Sequence, residues 1–357
     1  MKLFKRYLAR EVSAAVLLVL VAFLALFSFF DLIGEMRDVG KGGYQLHHAL
    51  AFLALKLPGR VYELMPIAVL IGALYALSTL ARHSEITVLR ASGLSTGRLL
   101  GTLLQVAAVF GAVTLLVGEA VVPPAERAAK QLRLSAVGKL VAAEFRTGLW
   151  VKDDMTFVNV RAVTPDAQLR SVRIYEFDAK AQLVSVSEAG EGEYVPPASW
   201  RLRNVVRTEL DGSKGRVSTQ PEMLWKSALN PDILSVLLVR PESMSLLHLT
   251  SYLKHLRDNK QKTQRYEIAL WKKLVYPLAV LVMIALALPF GYTHNRVAGV
   301  SLKIFAGVMI GIFFHMLNGL FSNLGAINSW PAFTSAAAPS LIFMAAAAGM
   351  LWWVERR

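Results

Sequence analysis

Six runs of about 20 residues carry almost no charge, and between the third and the fourth the pattern changes to short stretches alternating apolar and polar positions. The runs are Val12–Phe30, Tyr62–Leu80, Leu99–Val122, Leu274–Tyr292, Ile304–Phe321 and Phe333–Val354. Each is long enough, as a helix, to cross about 30 Å of hydrocarbon. The first is too long for a cleaved leader and lacks a small-residue cleavage site near its end, so it is expected to remain as a span.

Lys and Arg in the short connections set the expected orientation. With the N-terminus in the cytoplasm, the inner side holds Lys2, Lys5, Arg6, Arg10, Arg82, Arg90, Arg98, Arg296, Lys303, Arg356 and Arg357. The short outer loops hold Arg37, Lys41, Lys56 and Arg60. Eleven against four places both ends inside and the long segment between spans three and four outside.

That segment reads as β. Leu149-Trp150-Val151-Lys152 and Met155–Val160 flank Asp153-Asp154, a hairpin signal. Ser171–Phe177 alternates with period two, and Gln182–Val186, Glu193–Val195, Trp200–Val206 and Gly215–Val217 follow at close spacing. Such strands predict a sandwich or jelly roll. Helical pieces frame it: Ala125–Lys139 leaves span three, and Leu246–Lys260, with Ser245 as N-cap, returns toward span four. The fold class expected is therefore membrane α-helical with six transmembrane helices and an inserted all-β domain, a sandwich or jelly roll, on the outer side. Its parts are residues 1–122 with helices one to three, 123–266 with the β domain and its flanking helices, and 267–357 with helices four to six.

Composition agrees with that division. The chain is 55% hydrophobic, too apolar for an ordinary soluble domain, and has no cysteine, hence no disulfide or thiolate metal site. Its formal net charge of +14 fits inside-positive flanks and a mildly basic exported domain; a polyanionic ligand is the sharper alternative. Catalytic motifs are missing. There is no GxxxxGK[ST], and Gly93-Leu94-Ser95-Thr96-Gly97-Arg98 has the wrong spacing to cradle phosphates. HExxH and GxSxG are absent, and the adjacent His47 and His48 point about 100° apart on a helix. An enzyme reading has no residues to stand on.

Three features carry information instead. The loop after span two, Ala81–Gly93, reads as a short amphipathic helix near 82–93, with Ile86, Leu89 and Ala91–Gly93 mainly on one side and Arg82, Glu85 and Arg90 on another. It could lie on lipid head groups, but Glu85 would be repelled by anionic lipid and favours docking on a cytoplasmic ATPase. Around the outer end of span one lie Asp31, Glu35, Arg37, Asp38 and Lys41, either a self-paired helix end (Asp38 with Lys41) or the wall of a head-group cavity. Lys130 and Arg133 share a helix face, and Lys272 and Lys273 sit at the outer mouth of span four; each could snorkel singly, and together they would suit phosphates. Third, Glu63 and Glu119 read as wet helix ends, while His315 and Asn318 share a face of span five as interhelical hydrogen bonders or cavity lining. Beside them Phe313, Phe314, Leu317 and Phe321 form an apolar stripe for a partner helix or acyl chains.

Ala81-Arg82-His83-Ser84-Glu85-Ile86-Thr87-Val88-Leu89-Arg90-Ala91-Ser92-Gly93, Gly118-Glu119-Ala120-Val121-Val122-Pro123 and Gly148-Leu149-Trp150-Val151-Lys152, in this order and spacing, resemble the LptF/LptG permease family of the lipopolysaccharide export transporter. Gly40-Lys41-Gly42-Gly43-Tyr44 and the Leu149-Trp150 start look more like its LptG branch. The resemblance implies six helices, a periplasmic jelly roll, and a cavity shared between LptF and LptG that takes lipopolysaccharide from the inner membrane. It implies an LptB ATPase dimer docked on the loop carrying Arg82, Ser84, Glu85, Leu89, Arg90 and Gly93, with ATP and Mg in that partner and no cofactor in this chain. It further implies LptC and an LptA bridge as recipients, and no nucleic acid. Lys130 and Arg133 match family basic residues near the lipid cavity, with Asp31, Arg37, Lys41, Lys272, Lys273 and the stripe as further lipid contacts. LptG relatives carry a Lys about where this chain has Asp31, so Arg37 or Lys41 would supply that charge. A relay that passes ATPase motion outward without moving lipid is the rival; it would need fewer spans and no lipid-sized cavity. A plain anchor for the β domain would leave the inner loop idle.

Overall fold

The computed structural model describes residues 2–41, 43–93, 95–137, 148–153, 155–164, 168–178, 180–211, 214–227, 241–292 and 300–356. Among them are six helices long and apolar enough to cross a bilayer. Helix α1 is Lys2–Met36 and α2 is Leu46–Arg82, followed by the short α3, Glu85–Ala91. Helix α4, Thr96–Leu116, runs through one π-helical turn, Val117–Val121, into α5, Val122–Val137. Six strands follow: β1 Leu149–Asp153, β2 Thr156–Val163, β3 Leu169–Phe177, β4 Leu183–Val195, β5 Ser199–Asp211 and β6 Lys214–Lys226. The chain returns through α6, Leu246–Asp258, to α7 Gln264–Tyr292, α8 Val300–Asn328 and α9 Ala332–Glu355. Asp154, Lys139 and Arg296, used in the sequence reading, lie outside the described residues.

Helix α2 is the centre of the bundle. Its apolar window is 78% buried, against 11% for α1 and 17% for α8. Between apolar helices in lipid the drive to associate is close packing, and small residues allow it. Gly72 lies against α1 so closely that a Cβ there would sit 2.6 Å from the Val16 backbone. On α8, Gly307 and Gly311 are one turn apart and receive Leu74 and Ile67 of α2. Leu8, Val12 and Val16 of α1, Leu103 and Ala107 of α4, and Met283 and Ala287 of α7 close the core.

The helices run past the apolar runs. Helix α2 starts at Leu46, four turns before Tyr62. Lys56 and Arg60 interrupt the apolar pattern but are good helix formers on an otherwise helical surface. Their end of the bundle also carries the β segment; α3 is at the other.

The strands form one antiparallel sheet in sequence order, β1-β2-β3-β4-β5-β6. Gln182–Val186 and Glu193–Val195, expected as separate strands, are the two ends of β4. Trp200, Leu202 and Val205 of β5 pack with Val158, Val160, Leu169, Val172 and Ile174 on one face. Beyond β6, the Ser227 hydroxyl donates to Asp153, so the chain leaving the last strand returns to the end of β1.

A crease crosses this sheet. Burial alternates along β3, β4 and β5 and then slips by one residue, so Leu169 and Val172 both face the core, as do Ala189 and Gly192, and Leu202 and Val205. The slips fall on one row: extending the pairing on either side sets Ser171 opposite Gly190, Gly190 opposite Asn204, and Asn204 opposite Pro221. Ser171 and Asn204 are left-handed, with φ of 52° and 55°, and proline has no N–H to give the ladder. A β-branched residue at Asn204 would clash in that conformation, whereas glycine adopts it freely. Asn204→Val is expected to cost about 1–2 kcal/mol and speed trypsin cleavage within the sheet, while Asn204→Gly leaves cleavage at the parental rate.

Candidate functional site

At the end away from the sheet, one expected helix is two. Helix α2 stops at Arg82, and Ser84 is left-handed at φ 61°, which ends the helical ladder before α3 begins. Arg82 is therefore the last residue of α2 and does not share a helix with Glu85, correcting the expected helix near 82–93. The Ser84 carbonyl accepts the first α3 bond, from Val88 N–H at 3.0 Å. Gly93 turns at φ 90°, and the Ser95 hydroxyl caps α4 by accepting from Arg98 N–H. One side of α3 enters the bundle core through Ile86, 6% exposed, while Val88 is 65% exposed. Glu85 is half-buried and accepts a hydrogen bond from the Tyr7 hydroxyl of α1 at 3.4 Å. The side chains of Leu89 and Arg90 lie outside the described residues.

At the sheet end, four elements bring a set of charges together. Both Asp31 oxygens are held by Arg60, at 2.9 Å from Nε and 2.8 Å from Nη2, and Arg60 Nη1 reaches Glu63 at 3.0 Å. Arg133 on α5 pairs with Asp38, and with Glu35 at 3.7 Å. Lys41 donates to Asp38 at 2.7 Å. The Tyr44 hydroxyl donates to Glu35 at 3.0 Å, and burial together with that carboxylate pushes its phenol up to about 12. Arg133 also lies 5.6 Å from the Phe52 ring centre, with Lys56 4.9 Å from the same ring. Arg37 is exposed and Lys130 half-buried. An incoming phosphate would meet cations already paired with carboxylates, and would bind by replacing one anion with another.

Two expected lipid contacts turn inward. Lys273 is 4% exposed; its ammonium pairs with Glu119 at 3.0 Å and donates to the Met244 carbonyl. Phe314 is 3% exposed and packs edge-on against Phe343 of α9 at 5.1 Å. Phe313 is 56% exposed, while Leu317 and Phe321 are half-buried, so the stripe divides between the core and the outside of α8. Lys272 is half-buried. His315 is exposed, and the buried Asn318 amide donates to the Phe314 carbonyl of its own helix at 3.0 Å, rather than across helices.

Sequence reasoning counted Arg60 as a loop charge and Glu119 as a wet helix end. The signal for Arg60 was available: Phe52, Lys56 and Arg60 recur every four residues, one face of a helix that starts early. Glu119 had no such signal, because its partners lie more than a hundred residues away.

Six bilayer-length helices, a β segment between the third and fourth, and a short helix tied to the bundle at the opposite end define a polytopic membrane protein with an inserted β domain. The chain belongs to the lipopolysaccharide export system permease LptF/LptG family, whose sequence model matches residues 6–354. It is similar to the lipopolysaccharide export system permease protein LptG of Haemophilus influenzae, 30% identical over 353 residues, covering 99% of this chain and 98% of that one. It is also similar to LptG of Escherichia coli K12, 29% identical over 356 residues, with 99% and 98% covered.

Lys41 first, then Arg133, hydrogen-bonded to Asp38, hold its carboxyl below the usual carboxylate range. A carboxyl depressed on folding stabilises at pH above its unfolded value of about 3.9 and loses that contribution as pH falls through the folded value. Amide exchange at Lys41 and Tyr44, corrected for intrinsic pH dependence, is expected to stay protected from pH 7 down to about 4 and to rise below it. Asp38→Asn should show weaker protection with no acid transition.

Proposed function

We propose that this chain is the permease subunit that draws lipopolysaccharide from the inner membrane and passes it to a periplasmic bridge, driven by ATP hydrolysis in a separate subunit. The observation that carries the reading is α3: Ile86 anchors it in the bundle core while Val88 faces out, as a surface pushed by a soluble partner requires. In this reading both termini are cytoplasmic, the charge distribution of the loops supports that orientation, and the sheet stands in the periplasm as part of a jelly roll. An LptB dimer would dock on Arg82, Ser84, Glu85, Leu89, Arg90 and Gly93, bringing ATP and Mg. LptF would complete the cavity, and LptC and LptA would receive the lipid.

The cations Arg37, Lys41, Lys130 and Arg133, with Lys272 of α7, would face the phosphates of the lipid. Asp31 would act through Arg60, which both its oxygens hold. Exposed Phe313 would touch acyl chains, with Leu317 and Phe321 at the edge of that surface. Lipid moves only if the closed cavity binds it worse than the open one. Anion exchange at Arg133 offers such a difference: when Asp38 and Glu35 close on the guanidinium, the phosphate is released.

Glu85→Ala should lower ATP-driven lipopolysaccharide release from reconstituted complexes at least several-fold while the chain still assembles; release at the parental rate would remove α3 from the docking role. Lys130→Glu with Arg133→Glu should sharply reduce lipopolysaccharide photocrosslinking from a probe at Lys56. Crosslinking at the parental yield would exclude head-group contact by those two cations.

A further inference from the structure

The π-helical turn Val117–Val121 interrupts the long helix made by α4 and α5 just where three spans converge. Such turns are uncommon and often mark functional positions. The turn brings Gly118 against the Tyr62 ring of α2, where a Cβ would lie 2.5 Å from a ring carbon. Tyr62 in turn stacks on Tyr276 of α7, with centroids 4.8 Å apart. The next residue, Glu119, points toward the chain returning from the sheet. Its two oxygens accept from the Leu246 N–H at 2.9 and 3.0 Å, at the first turn of α6. One of them also pairs with Lys273 of α7 at 3.0 Å, and the Lys273 ammonium donates to the Met244 carbonyl two residues before α6. A carboxylate and an ammonium thus grip both sides of the same chain segment.

Helix α6 is fixed along its length as well. Leu249, Tyr252 and Leu256 are buried with Met244 and Ala269 of α7. At its far end the Gln261 amide donates to the Lys152 carbonyl of β1 at 3.3 Å. The 13 residues of α6, about 20 Å long, therefore lie along the start of α7, with the Glu119–Lys273 grip at one end and, at the other, the Arg257–Glu267 pair and the chain that reaches the sheet at Lys152.

We propose that Glu119 and Lys273 are positioning residues forming the joint through which movement of the membrane helices is handed to the β segment along α6. This rests on the transport reading above, since it concerns how the two halves of one cycle are kept in step. A lipid leaving the bundle must find the sheet in register with the exit, and a rigid link between the two supplies that register. Glu119 serves it twice, by its charge toward Lys273 and by its acceptor atoms toward the α6 backbone. Glu119→Gln keeps an acceptor for Leu246 and loses the charge; Glu119→Ala loses both.

The chain has no cysteine, so introduced labels are unique within it, and partner subunits free of cysteine keep them so in the complex. Leu57→Cys on α2 and Val217→Cys on β6 are both exposed positions for nitroxides. In the complete transporter with its ATPase partner, in lipid nanodiscs, the distance between them is measured with and without a non-hydrolysable ATP analogue. The parent should show a nucleotide-dependent shift with a narrow distribution. Glu119→Ala should lose at least half of that shift and broaden the distribution while nucleotide still binds; Glu119→Gln should fall between, and it serves if the alanine variant does not assemble. The same shift and width in both variants, or no shift in the parent, overturns the joint. Lipopolysaccharide photocrosslinking inside the parent bundle is followed in parallel. Its absence would overturn the transport reading, whatever the labels report.

Discussion

Close packing around α2 holds the membrane part together. Lipid tails are as apolar as leucine side chains, so burying apolar surface between helices gains little that lipid would not supply. What lipid cannot match is a contact shaped to fit, and α2 has these on several sides. Gly72 admits the α1 backbone, and Gly307 and Gly311 admit Leu74 and Ile67. Helices α1 and α8 rest on α2 along one side and are open on the other. They are the spans with room to meet a second subunit or lipid, and Phe313 on α8 is part of that open surface.

The sheet end is governed by a different balance. Buried or half-buried charges need partners, and here Lys41, Arg60, Arg133 and Lys273 each have a carboxylate. Arg60 with Asp31 and Arg133 with Asp38 are fork-shaped donors meeting planar acceptors, a geometry that phosphate can also satisfy. The same surface is thus held together by its own ion pairs. Lys273 differs, because its low exposure and two partners commit it to holding the chain between sheet and span.

Much of this was legible in the sequence. The six spans follow from apolar length alone, and the β character of the segment between them from period-two alternation with short turns, although seven short strands were expected where six are described. The helix N-cap at Ser245 followed from residue type and is present, its hydroxyl accepting from His248 N–H at 3.2 Å. Less legible was anything set by contacts distant in sequence. Two short β readings proved to be one strand because Gly190 and its neighbours across the crease shift the alternation by one, and a shifted period looks like a gap. The break at Ser84 escaped because serine shows no preference for a left-handed backbone. Phe314 could not be told from Phe313 by type; one residue is a turn of about 100°, enough to carry it from the outside of α8 into the core.

That break at Ser84 has a mechanical side. Were α2 and α3 one continuous rod, a knock at its tip would have to bend more than forty residues of hydrogen-bonded helix packed on every flank. Instead the tip is a separate seven-residue knuckle, pinned at Ile86 and restrained by Tyr7. A sideways load on Val88 therefore becomes a pivot about that pin. Through the tyrosine such a load would also reach α1, the span with the most open outer face.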